Sequence, residues 1–243
     1  MSDSGLVADG AEVCNLFNSF FSSVGEVLAG TISQKYHTDT SKIFMYGSGS
    51  SHDTTLNYLK PCSMDEVNKI IDDLDANTST GLDGISTKAI KCLKNLIIGN
   101  LVNSINKCFE LGIFPDSLKI AKVNPIHKTD PSNYRPISVL PVISKIFEKL
   151  LYHRLNNFLT EKKVLIDEQY GFRPKSSTLT AAVDLITKIK TNIDQKNIGL
   201  GIFIDLKKAF DTVSHQKLLL KLKNICIIDT ALNIFESYLR NRR

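Results

Sequence analysis

A chain of 243 residues has room for one large domain or two small ones. Its 42% apolar and 23% charged residues fit a soluble globular protein with a core, and no apolar run approaches the roughly 18 residues that would span a membrane. The net charge of +5 is unevenly placed: residues 1–60 carry 3 Lys/Arg against 6 Asp/Glu, whereas residues 61–243 carry 27 against 19. A basic excess on one part of a chain suits a surface that meets nucleic acid, and a solvated surface can carry it as well.

The elements follow in chain order. Ala11–Leu28 places Val13, Leu16, Phe17, Phe20, Phe21, Val24 and Leu28 at helical spacing with one apolar face. Thr31–Lys60 is rich in Ser, Thr, Gly and His and reads as a linker. Ser63-Met-Asp-Glu66 is a capping box that opens a helix to about Leu74. A glycine-rich turn, Asn77-Thr-Ser-Thr-Gly-Leu-Asp-Gly-Ile85, comes before two helices, at roughly 86–98 and 100–111, with Gly112 as a stop. Leu118–Lys128 alternates as a strand does, and Pro125 marks it as an edge strand or an early end.

Pro141–Leu159 carries a stripe of Ile143, Ile146, Phe147, Leu150, Leu151, Leu155 and Phe158 and is the clearest helix. A helix at about Thr178–Ile193, an apolar strand at Ile198–Ile204 ending on Asp205, and a last helix at about His215–Lys223 complete the pattern. The five cysteines are scattered without a C-x-x-C pair, which predicts buried free thiols in a reducing compartment. The first residues lack a signal-peptide pattern, so the expectation is a soluble, intracellular chain. The division expected is residues 1–60, a connector helix and flexible linker, and residues 61–243, a catalytic-type domain.

Three motifs carry chemistry. Gly201-Ile-Phe-Ile-Asp-Leu-Lys-Lys-Ala-Phe-Asp-Thr-Val-Ser-His215 runs a strand into a carboxylate, which puts Asp205 at a sheet rim where it can hold a divalent cation against a phosphate. Asn133-Tyr-Arg-Pro-Ile-Ser138 offers the guanidinium of Arg135, suited to phosphate oxygens or to a salt bridge. Gln169-Tyr-Gly-Phe-Arg-Pro-Lys-Ser-Ser177 offers two cations on a turn. In this order and at these spacings, together with the Gly81-Leu-Asp-Gly-Ile85 loop, they resemble the reverse transcriptase of non-LTR (LINE-type, jockey/CR1-like) retrotransposons. Phe17-Asn-Ser-Phe-Phe-Ser-Ser-Val24 resembles the connector that precedes the polymerase in such proteins.

The resemblance implies an α+β, helix-rich fold comprising the fingers and part of the palm of a right-hand polymerase. It implies RNA-directed DNA polymerisation with an RNA template, a DNA primer, deoxynucleoside triphosphates and Mg²⁺ or Mn²⁺. Asp205 matches the first metal carboxylate, with the Leu206 carbonyl as companion ligand. Lys128, Arg135, Lys208, Ala209 and Phe210 match the nucleotide pocket, Phe210 as the ring that excludes a 2′-hydroxyl. Gly171, Arg173 and Lys175 match the template segment, with Gly171 permitting its turn and Phe172 expected to pack in a core rather than to stack on a base. The chain departs from its relatives at Leu82 for Pro, Asn124 for an apolar residue, Tyr170 for Phe, and a short Thr129–Ser132 after Lys128. The second acidic motif of the family, an aromatic-Ala-Asp-Asp turn, does not occur up to Arg243. The expectation is therefore a truncated palm, an incomplete metal site, and a chain inactive alone that needs a further palm and thumb segment. A relic that only binds nucleic acid, or a helical interaction module, are the alternatives.

Overall fold

The computed structural model describes residues 10–35, 55–126, 135–206 and 209–242. They form α1 (Gly10–Lys35), α2 (Met64–Asp72), α3 (Thr87–Leu111), β1 (Lys122–Ile126), β2 (Arg135–Val139), α4 (Val142–Glu161), α5 (Thr178–Asp194), α6 (His215–Asn224) and α7 (Asp229–Leu239). The architecture is helix-rich with a small sheet.

The core is built where helices carry an apolar stripe and a cap. Ser63 Oγ accepts the Glu66 N–H and starts α2, whose Val67, Ile70 and Ile71 are buried. Ser86 caps α3 in the same way, and Gly112 ends it in the left-handed conformation at φ 66°. One continuous helix spans the two expected on either side of Gly99. A Cβ at that glycine would meet only the Met64 side chain, and flanking Leu and Ile residues keep the helical register. α4 buries Ile146, Phe147, Leu150, Leu151 and Phe158 against α2 and α3. The Phe147 ring stacks on Phe114 at 4.7 Å and lies 5.5 Å from Phe109.

The closing Ser237–Arg243, which resembles a helix end in the family, includes the end of α7, whose start was not marked in the sequence. Ala231, Ile234 and Phe235 of α7 are buried, and Tyr238 reaches Phe114 edge-on at 5.1 Å. Ser237 Oγ accepts the Phe114 N–H, and Gly112 lies against Thr230 and Asn233 of α7 with a Cβ excluded at 3.0 Å. The Tyr238 hydroxyl donates to Glu148 Oε1, and Arg242 pairs with the same oxygen while lying over the Tyr238 ring. Burial and the neighbouring carboxylate push the Tyr238 phenol up to about 12. These contacts lock α7 onto α4.

Residues 55–60, read as linker, are part of the core. Leu56 makes a parallel bridge with Ile227 through Leu56 N–H to Cys226 O and Ile228 N–H to Leu56 O, both 2.9 Å. The Asn106 amide pairs with both backbone groups of Cys62, and Leu59 and Cys62 are buried. Side chains from α3, α4 and α7 supply the partners that composition cannot reveal. Cys14 and Cys92 are exposed, so burial does not extend to all five thiols, none of which is in a disulfide.

Arg154 of α4 pins this segment. Its guanidinium forks onto Glu66 at 2.7 Å twice and donates to the carbonyls of Lys60 and Pro61. The Arg154 hydrogen bonds hold the Glu66 carboxyl below its ordinary 4.5. A depressed folded value means stability that is present above the ordinary value and lost as pH falls through the folded one. Melting temperature followed downward from pH 7 should therefore drop below about pH 4.5 in the wild type and drop less in Glu66→Gln. Arg154→Met should cost about 2 kcal/mol at neutral pH, under the figure for a fully buried pair because Glu66 is partly exposed.

Two loops set the approach to the sheet. Gly81 is buried against Pro141, where a Cβ would lie 2.6 Å from the Pro141 nitrogen, so the glycine-rich turn abuts the start of α4. β1 and β2 then form an antiparallel hairpin in which Asn124 faces Ile137 and Pro125 faces Pro136. β1 is shorter than the expected strand, because Asp116–Leu118 is a 3₁₀ turn. β2 went unread because Pro136 interrupts its strand pattern.

Ile198–Ile204 is not a strand. The segment is unpaired among the described residues, and Ile198, Leu200, Ile202, Phe203 and Ile204 are all exposed. A continuous apolar run is the pattern of a strand covered on both faces and paired at both edges. No described segment offers it an edge. α5, just before it, likewise buries none of its side chains and leaves Leu179, Val183, Ile186, Ile189 and Ile193 exposed.

Candidate nucleotide and nucleic-acid site

Asp205 follows the unpaired segment and is exposed, without a hydrogen-bond or ion-pair partner among the described residues. Leu206 is exposed beside it. Lys208 lies outside the described residues, as does Lys128. Ala209 opens a turn, closed by the Thr212 hydroxyl on the Ala209 carbonyl at 3.1 Å, that presents Phe210 to solvent. The turn rests on α1: a Cβ at Gly25 would lie 2.5 Å from the Asp211 carbonyl oxygen. Only glycine admits this approach, so α1 lies directly against the Phe210 turn at this point. That contact had no sequence signal beyond a glycine on the apolar side of a helix.

Arg135 opens β2 opposite Ile126, at the loop end of the hairpin. The Gln169–Ser177 turn differs from expectation in three respects. Gly171 does not supply the turn's unusual backbone; Phe172 at φ 59° and Lys175 at φ 61° do. Arg173 is not simply presented outward, because its Nη1 donates to the Ile166 carbonyl at 2.7 Å and closes the loop. Phe172 does not pack in a core; it is 83% exposed.

Asp184 of α5 lies near the Tyr170 hydroxyl and raises the phenol above its ordinary value. Asp184 is paired with Lys188 at 3.0 Å, which holds its carboxyl low. Lys175 remains exposed. The structure brings Phe172 and Phe210 together, with ring centroids 5.8 Å apart and planes at 86°. It therefore joins two motifs some forty residues apart in sequence.

Asp205, as a free carboxylate oxygen donor, suits a hard cation that keeps waters and takes one or two carboxylates plus phosphate oxygens. No group of three or more His, Cys, Asp or Glu close enough to hold a metal exists among the described residues. The chain's own donors thus fit one side of such a site.

The fold and these motifs define a class. Residues 126–242 match the reverse transcriptase (RNA-dependent DNA polymerase) family and form a domain of that family. Its relatives are polymerases of non-LTR retrotransposons. It is 34% identical over 190 residues, 76% of this chain, to the probable RNA-directed DNA polymerase from transposon BS of Drosophila melanogaster. It is 30% identical over 172 residues, 69% of the chain, to the RNA-directed DNA polymerase from mobile element jockey of the same fly. A protein of the type-1 element R1DM matches at 29% over 184 residues, 73% of the chain. The chain spans about a fifth of the length of these curated relatives, 21%, 19% and 17% respectively. No described helix is long and apolar enough to cross a membrane.

Proposed function

We propose that this chain is the fingers and first part of the palm of an RNA-directed DNA polymerase of a non-LTR retrotransposon. The observation that carries the reading is the reverse-transcriptase match over residues 126–242, which includes Asp205, the Phe210 turn and the braced Gln169–Ser177 turn. RNA template, DNA primer and deoxynucleoside triphosphates are the substrates. The exposed apolar face of α5 and residues 198–206 is the surface on which the rest of a palm packs.

Asp205 and the Leu206 carbonyl would hold the divalent cation, which supplies charge stabilisation for displacement at a phosphate. Phe210 lies against the sugar and leaves no room for a 2′-hydroxyl. Arg135 with Lys128 and Lys208 binds phosphate oxygens, and Lys175 meets the template backbone. Arg173 keeps the turn closed while its charge adds to the same field. The compartment is intracellular.

The test is a salt titration of a labelled single-stranded RNA. Backbone contacts release counterions, so each one lost should lower the salt slope by about 0.7. Arg135→Ala with Lys175→Ala should flatten the slope and weaken binding across sequences, since phosphate contacts carry little base information. Lys35→Ala with Lys42→Ala, in the net acidic first sixty residues, should leave binding unchanged. Equal losses from both pairs would mean diffuse binding and sink the polymerase-channel reading.

A further inference from the structure

We infer that Gly25 of α1 is a positioning residue for sugar selection: through the Asp211 backbone it sets where the Phe210 ring stands. This rests on the polymerase reading, in which Phe210 excludes a 2′-hydroxyl. It adds a residue that lies outside the family match over residues 126–242.

The ring needs a support. Phe210 is 78% exposed, so core packing does not fix its direction and the ring goes where the backbone of its turn sends it. Phe172, which meets it edge-on, is exposed as well. The Thr212 hydroxyl donates to the Ala209 carbonyl and shapes the turn without tying it to another element. α1 supplies such a tie. A Cβ at Gly25 would lie 2.5 Å from the Asp211 carbonyl oxygen and 3.5 Å from its carbon, and Asp211 directly follows Phe210. The atoms met are backbone, so no change of rotamer relieves the clash.

The choice of glycine is informative. Inside a helix glycine is less stable than alanine, because it has more backbone freedom to lose. α1 carries Gly25 and Gly30 within its span. Around Gly30 a Cβ would meet nothing within 4 Å, so alanine fits there. At Gly25 it does not: ordinary contact begins at 3.4 Å, so helix and turn would have to part by about 0.9 Å. A misplacement of about 1 Å can cost on the order of 100-fold in a reaction. Exclusion of one hydroxyl depends on the distance between ring and sugar, which is the quantity this shift changes.

The experiment uses a jockey polymerase in which the whole chain, α1 included, replaces the corresponding segment. The readout is the ratio of kcat/KM for a deoxynucleoside triphosphate to kcat/KM for the matching ribonucleoside triphosphate. Both values come from one preparation, so the ratio does not depend on how much of it is folded. Gly25→Ala should lower the ratio by roughly 10- to 100-fold. Gly30→Ala, the same change in open space, should leave it where it was. In a Phe210→Ala background Gly25→Ala should lower the ratio no further, because the ring through which it acts is gone. A role confined to holding the fold together would lower both kcat/KM values alike and leave the ratio intact.

An unchanged ratio in Gly25→Ala, or an equal additional loss in the Phe210→Ala background, would overturn the role of Gly25. Phe210→Ala alone tests the reading on which that role rests. If it lowers the ratio and Gly25→Ala does not, the polymerase reading stands and only the role of Gly25 fails. If it leaves the ratio unchanged, or if the chimera with the unaltered chain incorporates nothing, the reading fails and Gly25 falls with it.

Discussion

A jockey polymerase in which this chain replaces the aligned segment should incorporate deoxynucleotides on an RNA template. Asp205→Asn in that chimera should lower incorporation on the order of 10³-fold. The substitution keeps the side chain's size and removes its charge. Asp205 is exposed and unpaired among the described residues, so nothing in the fold depends on that charge and stability should stay within about 0.5 kcal/mol. Loss of activity without loss of stability is the signature of a charge kept for the reaction. A polypeptide of these 243 residues alone should not extend a primer, because Asp205 by itself supplies one side of a metal pair. Incorporation that persists in the Asp205→Asn chimera would remove Asp205 from the reaction. Incorporation by the 243-residue polypeptide would show its own donors to be sufficient.

Phe147→Ala should have the largest effect on stability. The ring is fully buried in α4, stacks on Phe114 and touches Phe109. Truncation removes the apolar burial and leaves a cavity between three helices and the Phe114 loop, which costs about 3–5 kcal/mol. Against a total of about 5–15 kcal/mol, that is enough to leave much of the protein unfolded near physiological temperature. The urea midpoint of Phe147→Ala is the direct measurement. Phe203→Ser is the comparison, because Phe203 is 85% exposed and its replacement should change the midpoint little while raising solubility. Equal midpoints for the two variants would mean that the core is not where the structure puts it.

The chain's local signals were strong where one helix face, one cap or one glycine decides the outcome. The Ser63 cap, the Gly112 stop and the stripe from Ile143 to Phe158 produced α2, the end of α3 and α4 as expected, because those choices are settled within a few residues, while the Glu66 carboxylate that would complete a capping box pairs with Arg154 instead. The order of Asn-Tyr-Arg-Pro, Gly-Phe-Arg-Pro and Phe-Ile-Asp-Leu was enough to recognise the family, and with it Asp205 and Phe210 as candidates. Partners far away in sequence settled the rest. Ile198–Ile204 has the composition of a strand and no edge to join among the described residues, so composition alone could not make it one.

Leu56 and Leu59 sit in a stretch that reads as linker and become core because Ile227 and α4 meet them. α7 carries a plain apolar spacing, and its importance comes from the Phe114 and Glu148 contacts that hold it to α3 and α4. Phe147, Phe172 and Phe203 are the same side chain in three sequence contexts, yet one is core, one is an exposed ring on a turn and one is exposed on an unpaired segment. A residue's type sets how much it gains from burial, and only the tertiary structure determines whether anything is there to bury it.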